Sequence, residues 1–130
     1  MKERRRRRRF VVEPTMEALL HVEGSETKGH VVDLNVIGAF IATDLVLEKG
    51  SHLGVELCVP DLERSPLIKA VVARRSERVK GRNGDLPAGL GVIFLADKEE
   101  EHMFIQNAVI VALERALEKA KAHTATASSR

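Results

Sequence analysis

The sequence predicts a mainly β fold, a six-stranded antiparallel barrel or sandwich followed by one C-terminal α-helix. Three observations carry this. Short runs of alternating apolar and polar residues are separated by Gly, Pro, Asn and Asp, the punctuation of strands and tight turns. The last quarter of the chain changes to three- and four-residue apolar spacing, the period of a helix. The chain has 130 residues, 44% of them apolar, which suits a single domain with a modest core. Strands first and a helix last place the helix against the sheet.

Residues 1–9 show no apolar period and form a basic arm. Phe10, Val11 and Val12 either begin a strand or anchor the arm, and Pro14 interrupts them. Residues 15–23 read as a half-buried strand through Ala18, Leu20 and Val22, with a turn at 24–27. Residues 28–33 and 39–43 are the second and third strands, joined by the connection from Asn35 to Gly38. Leu53, Val55, Leu57 and Val59 alternate with His52, Gly54, Glu56 and Cys58, the clearest period-two stretch. A long strand follows over 67–79, its later part exposed at Arg74, Arg75, Glu77 and Arg78. Asn83-Gly84 marks a tight turn, since both residues tolerate positive φ. Residues 89–96 are apolar at almost every position, so this strand is expected to be covered on both faces, with the helix on its outer side.

Asp97 with Glu100 three residues on suggests a capped helix start. Val109, Leu113, Ala116, Leu117 and Ala120 form the expected buried stripe. Met103, Phe104, Ile105, Ile110 and Val111 widen it, which leaves room for a homodimer contact on the helix. Lys119, Lys121 and His123 near the far end match the helix dipole. The helix is expected to finish by residue 123, with 124–130 a small polar tail. The domain proper is thus 10–123.

Charge is unevenly placed. Residues 1–9 carry seven basic side chains and one acidic one, whereas the remaining 121 residues carry 14 basic and 18 acidic. An anionic partner is therefore expected at the arm. The aromatics are four Phe with no Trp or Tyr, which weighs against stacking of single-stranded nucleic acid. The single cysteine, Cys58, permits neither an internal disulfide nor a thiolate zinc site, and its place in the period-two run suggests an inert thiol. The five histidines lack close metal spacing. No membrane-length apolar stretch and no secretory leader are visible, so a cytoplasmic setting is expected. No nucleophile, base and orienting group stand together, and a non-catalytic protein is expected.

Two stretches suggest a site. One is Arg4-Arg5-Arg6-Arg7-Arg8-Arg9 before Phe10. The other is Asp33-Leu34-Asn35-Val36-Ile37-Gly38. A guanine presents O6 and N7 acceptors to a guanidinium fork. Its N1–H and N2–H₂ donors suit a carboxylate such as Asp33. Phosphates suit further arginines through bidentate charge-assisted bonds. Asn35 both donates and accepts, and Gly38 permits close backbone approach or a positive φ. A solvated basic tail that binds nucleic acid or acidic lipid remains an alternative for the arginines. An ordinary Asx turn remains one for residues 33–38.

These residues resemble the PilZ domain family, a barrel-like bacterial receptor module for cyclic di-GMP. That family carries Arg-x-x-x-Arg before its first core strand and Asp/Asn-x-Ser-x-x-Gly at a strand turn. Arg5 and Arg9 fit the first motif, being followed by Phe10, and the spacing also admits Arg4 and Arg8. Asp33, Asn35 and Gly38 fit the second, with Asn35 standing where the family usually has serine. Ala39-Phe40-Ile41 and Gly89-Leu90-Gly91-Val92-Ile93-Phe94 are also similar, and the likeness extends over residues 3–115. It implies a ligand, cyclic di-GMP, bound by Arg5, Arg6, Arg8, Arg9, Asp33, Asn35 and Gly38, with the arm closing over it. It implies no cofactor, and outputs such as motility, pili or biofilm through a partner it does not identify. The other reading within the same fold is an interaction adaptor that binds no nucleotide.

Overall fold

A computed structural model describes residues 10–11, 16–77 and 88–128, with side chains described from Met16 to Lys121. The arginine run and the Asn83-Gly84 turn lie outside the described residues. Among those described, seven strands precede one helix: β1 (Phe10–Val11), β2 (Glu17–Val22), β3 (Ser25–Leu34), β4 (Gly38–Ala42), β5 (His52–Cys58), β6 (Ile68–Ser76), β7 (Gly89–Phe94) and α1 (Glu99–Ser128). The strand order is β1-β3-β2-β5-β6-β7-β4, and β4 also pairs with β3. That last pairing closes six antiparallel strands into a barrel. Closure removes the open edges that an antiparallel sheet would otherwise present.

β1 is a short addition. Phe10 pairs with Leu34 and Val11 with Asp33. β2 runs along the same strand further on, from Glu17↔His30 to Val22↔Ser25. The β2–β3 connection is only Glu23-Gly24, both at positive φ, 48° and 84°. Two such residues make the tight turn that matches strand twist. The turn is therefore shorter than the 24–27 expected, and β3 begins at Ser25.

The interior is apolar and continuous. Leu20, Val31, Leu34, Ile41, Val55, Leu57, Ile68, Val72 and Leu90 are buried in one cluster, which α1 joins through Ile105, Ala108 and Ala112. The buried stripe of α1 is thus 101-105-108-112 and not the expected 109-113-116-117-120. Leu117 is exposed. The apolar surface goes most of the way round this helix, so spacing alone did not select the buried side.

Two further expectations change. α1 starts one residue later than expected. The Glu101 carboxylate accepts from the Asp97 and Lys98 backbone N–H groups, at 3.0 and 3.3 Å, so Glu101 and not Glu100 reaches back. The helix also continues to Ser128, where Ala122, Ala125 and Ala127 have strong helix propensity. Lys119, Lys121 and His123 consequently fall short of its last turn. On β7 the outward side is not sealed by the helix, since Ile93 and Leu95 are exposed. Gly89 and Gly91 occupy outward positions, so an all-apolar reading there demands no cover.

Candidate functional site

Strict alternation would send two charged side chains into the barrel. Val31 faces the interior on β3, and two residues on stands Asp33. Ile68, Ala70 and Val72 face it on β6, and two residues on stands Arg74. A register irregularity intervenes in each case. Val31 pairs with Ile41 but Asp33 with Phe40, and Val72 pairs with Val92 but Arg74 with Gly91. The extra residues, Val32 and Ala73, are bulges that turn the following side chain to the outer face.

Both bulges serve one row. Asp33 pairs with Phe40, Phe40 with Gly91, and Gly91 with Arg74. A carboxylate and a guanidinium therefore lie at the ends of a cross-strand line over β3, β4, β7 and β6. At about 4.8 Å per strand, the two ends stand roughly 14 Å apart. Phe40 is only 8% exposed yet stands outside the barrel core cluster, because its ring lies on the outer face. The Arg74 guanidinium carbon sits 5.3 Å from the Phe40 ring centre. This is within cation–π range. Gly91 between them lets the Arg74 stem cross: a Cβ there would stand 3.0 Å from Arg74 Cγ.

The β3–β4 connection forms the near wall. Asn35 Oδ1 accepts from the Ile37 and Gly38 N–H groups at 2.7 and 3.0 Å. The Asn35 N–H donates to the Gly38 carbonyl at 2.9 Å. Asn35 thus builds the turn itself, leaving its NH₂ branch as a donor. Asp33 Oδ1 accepts from the Phe40 N–H at 3.2 Å. A Cβ on Gly38 would collide with the Val92 carbonyl oxygen, so glycine serves close strand approach here and not positive φ.

These residues line a cavity of about 360 Å³ with Asp33, Asn35, Gly38, Phe40, Arg74 and Gly91 in its wall. Asp33, Asn35 and Gly38 come together as the sequence suggests. Arg5, Arg6, Arg8 and Arg9 lie outside the described residues. Arg74, Phe40 and Gly91 were not picked out as site residues. The readable signal for Arg74 was a charged residue in inward register after three apolar ones. Arg75 turns elsewhere, to Glu77 at 3.0 Å.

Other titratable groups sit apart from the groove. The buried Glu56 carboxylate lies 3.0 Å from His21 Nε2 and 3.5 Å from Arg64 Nε. Cys58 closes β5 on the exposed side, opposite the apolar face as the alternation suggests; partial burial, with Glu17 and Glu56 beside it, pushes its thiol above the ordinary cysteine pKa. Among the described residues no cluster of three His, Cys, Asp or Glu is placed to hold a metal ion. No described helix is long and apolar enough to cross a membrane.

The fold has close structural counterparts. The PilZ domain with c-di-GMP of YcgR from Escherichia coli superposes with a TM-score of 0.73 at 19% identity, over 92% of this chain and 98% of that one. MrkH of K. pneumonia in its apo state gives 0.70 at 16% identity, over 91% and 53%. YcgR of Escherichia coli in complex with c-di-GMP gives 0.69 at 20%, over 92% and 50%. The chain spans about half the length of these last two. No curated protein matches the sequence. The family model described as PilZ domain matches residues 3–110, a span that includes both the arginine run and the turn from Asp33 to Gly38, and the chain therefore belongs to the PilZ domain family.

Proposed function

We propose that this chain is a non-catalytic receptor for cyclic di-GMP and that the outer groove is its binding site. The observation that carries this reading is the row Asp33–Phe40–Gly91–Arg74. It offers a carboxylate for guanine N1–H and N2–H₂, and a guanidinium for the O6/N7 edge or a phosphate. Gly91 gives the Arg74 stem room to cross, which holds the guanidinium beside the Phe40 ring in the groove. Asn35 takes the place of the family serine through its turn and its NH₂ donor. Structures whose names include bound c-di-GMP share the fold, which supports the choice of ligand.

The arginines join the site through chain connectivity. Arg9 immediately precedes Phe10, and Val11 pairs with Asp33. Arg5 and Arg9 bind phosphate and guanine edges in this reading, with Arg6 and Arg8 available to a second ligand molecule. Closure of the arm changes the surface offered to a downstream partner, an order–disorder switch.

Calorimetry with cyclic di-GMP tests the reading. Wild type binds at micromolar or tighter affinity, and Arg5→Ala, Arg9→Ala and Asp33→Ala each lose at least tenfold, about 1.4 kcal/mol. No heat from the folded wild type at high ligand concentration overturns it.

A further inference from the structure

α1 has two apolar faces. One is the buried line of Ile105, Ala108 and Ala112, with Glu101 at its start. The other is Met103, Ile110 and Leu117, exposed by 52%, 49% and 53% and spaced at intervals of seven. At about 100° per residue, Ile110 points roughly 180° from the middle of the buried line. An ordinary surface helix has an apolar stripe and a polar back. Here the back carries an exposed apolar line as well, polar at Gln106 near its start and apolar from Ile110 to Ala120. Exposed apolar residues scattered singly need no explanation, but three in one line with a seven-residue repeat form the seam of a helix pair. The drift of about 20° per heptad is the amount that a left-handed pairing takes up.

The helix also extends past its support. Among the described side chains its last buried residue is Ala112, yet it runs to Ser128. Sixteen further residues add about 24 Å of helix. Every side chain described from Leu113 to Lys121 is exposed or half-exposed. A helix of that length without a packed face is marginal in water.

The charges beside the seam match a second copy of the same helix. With Met103, Ile110 and Leu117 as the first seam position of each heptad, Gln106, Leu113 and Ala120 take the second, so the apolar seam runs from Ile110 to Ala120, and Glu114 and Lys121 share one flank. An antiparallel pair about a two-fold axis near Leu117 sets Glu114 of each copy against Lys121 of the other. A parallel pair would set them against Val109 and Ala116. A two-fold contact requires such a self-complementary surface. We propose that α1 pairs antiparallel with α1 of a second copy, with Leu117 and Ala120 at the centre of the seam, Leu113 beside them and Ile110 toward its outer ends. No groove residue belongs to α1, so this proposal is independent of the ligand.

Sedimentation of the full chain tests it. Wild type sediments as a dimer of the 14.4 kDa chain. The double variant Ile110→Glu/Leu117→Glu sediments as a monomer with unchanged far-ultraviolet circular dichroism. Leu67→Glu, a barrel position of similar exposure, remains dimeric. In a Cys58→Ser background, Glu114→Cys combined with Lys121→Cys gives a disulfide-linked dimer on mild oxidation, and Val109→Cys combined with Glu114→Cys gives none. A wild type that is monomeric at hundreds of micromolar, or a dimer that survives the double variant, overturns the pairing. A link through Val109→Cys combined with Glu114→Cys, with none through Glu114→Cys and Lys121→Cys, overturns its antiparallel sense.

Discussion

Asn35 and Gly38 do different work in the same short turn, and substitutions separate the two. Asn35→Ala removes the acceptor for two backbone N–H groups and costs about 1 kcal/mol in urea unfolding. Asn35→Ser keeps a short acceptor and costs less, so any change in its ligand affinity reports on contact and not on folding. Gly38→Ala drives a Cβ into the Val92 carbonyl and costs about 1–3 kcal/mol by the same measurement. Cys58 gives a pH-dependent readout. Its raised pKa leaves less thiolate at neutral pH, so alkylation at pH 7.5 is slower than for a free cysteine, and the rate keeps rising to a higher pH. Equal rates would show that neither burial nor the carboxylates act on the thiol. At this scale Asp33, Asn35 and Gly38 were legible because they lie close together in sequence. Arg74 was not, because its place in the groove depends on one extra residue in β6 and on a glycine in another strand.

Elements were legible where burial is one-sided. β5 alternates cleanly because Leu53, Val55 and Leu57 meet the apolar core, while the other positions are polar or glycine and only Glu56 among them is buried, beside His21. α1 was misread because apolar residues occupy both its barrel face and its back, so the period was clear but the phase was not. Its start was misplaced by one residue for a similar reason. Glu99, Glu100 and Glu101 are consecutive, and only packing selects which reaches back. Glu101→Ala removes the acceptor for the Asp97 and Lys98 N–H groups from a buried position, with an expected cost of about 1–2 kcal/mol. Glu100→Ala changes stability by less than about 0.5 kcal/mol. Equal losses in urea unfolding would mean that the two carboxylates share the cap.

The whole molecule joins a closed barrel, whose described core begins at Met16, to a basic segment ahead of it in the chain. Strand count and turn chemistry left barrel and sandwich open, and the family resemblance pointed to the barrel; the pairing that closes it, β3 with β4, follows from the short connection built by Asn35. This division makes arm and barrel separable by experiment. If the arm closes over cyclic di-GMP, ligand at a hundred times its dissociation constant stabilises the full chain by about 2.7 kcal/mol. For a domain of this size that raises the melting temperature by roughly 10 °C. Removing residues 1–9 takes no described core residue away, so the ligand-free melting temperature stays the same while the ligand-induced rise disappears. A rise that persists in the shortened chain assigns binding to the groove alone and removes the arm from the mechanism. A rise absent from both chains removes the receptor reading itself, and leaves the two bulges, which turn Asp33 and Arg74 outward, to be explained by a different ligand.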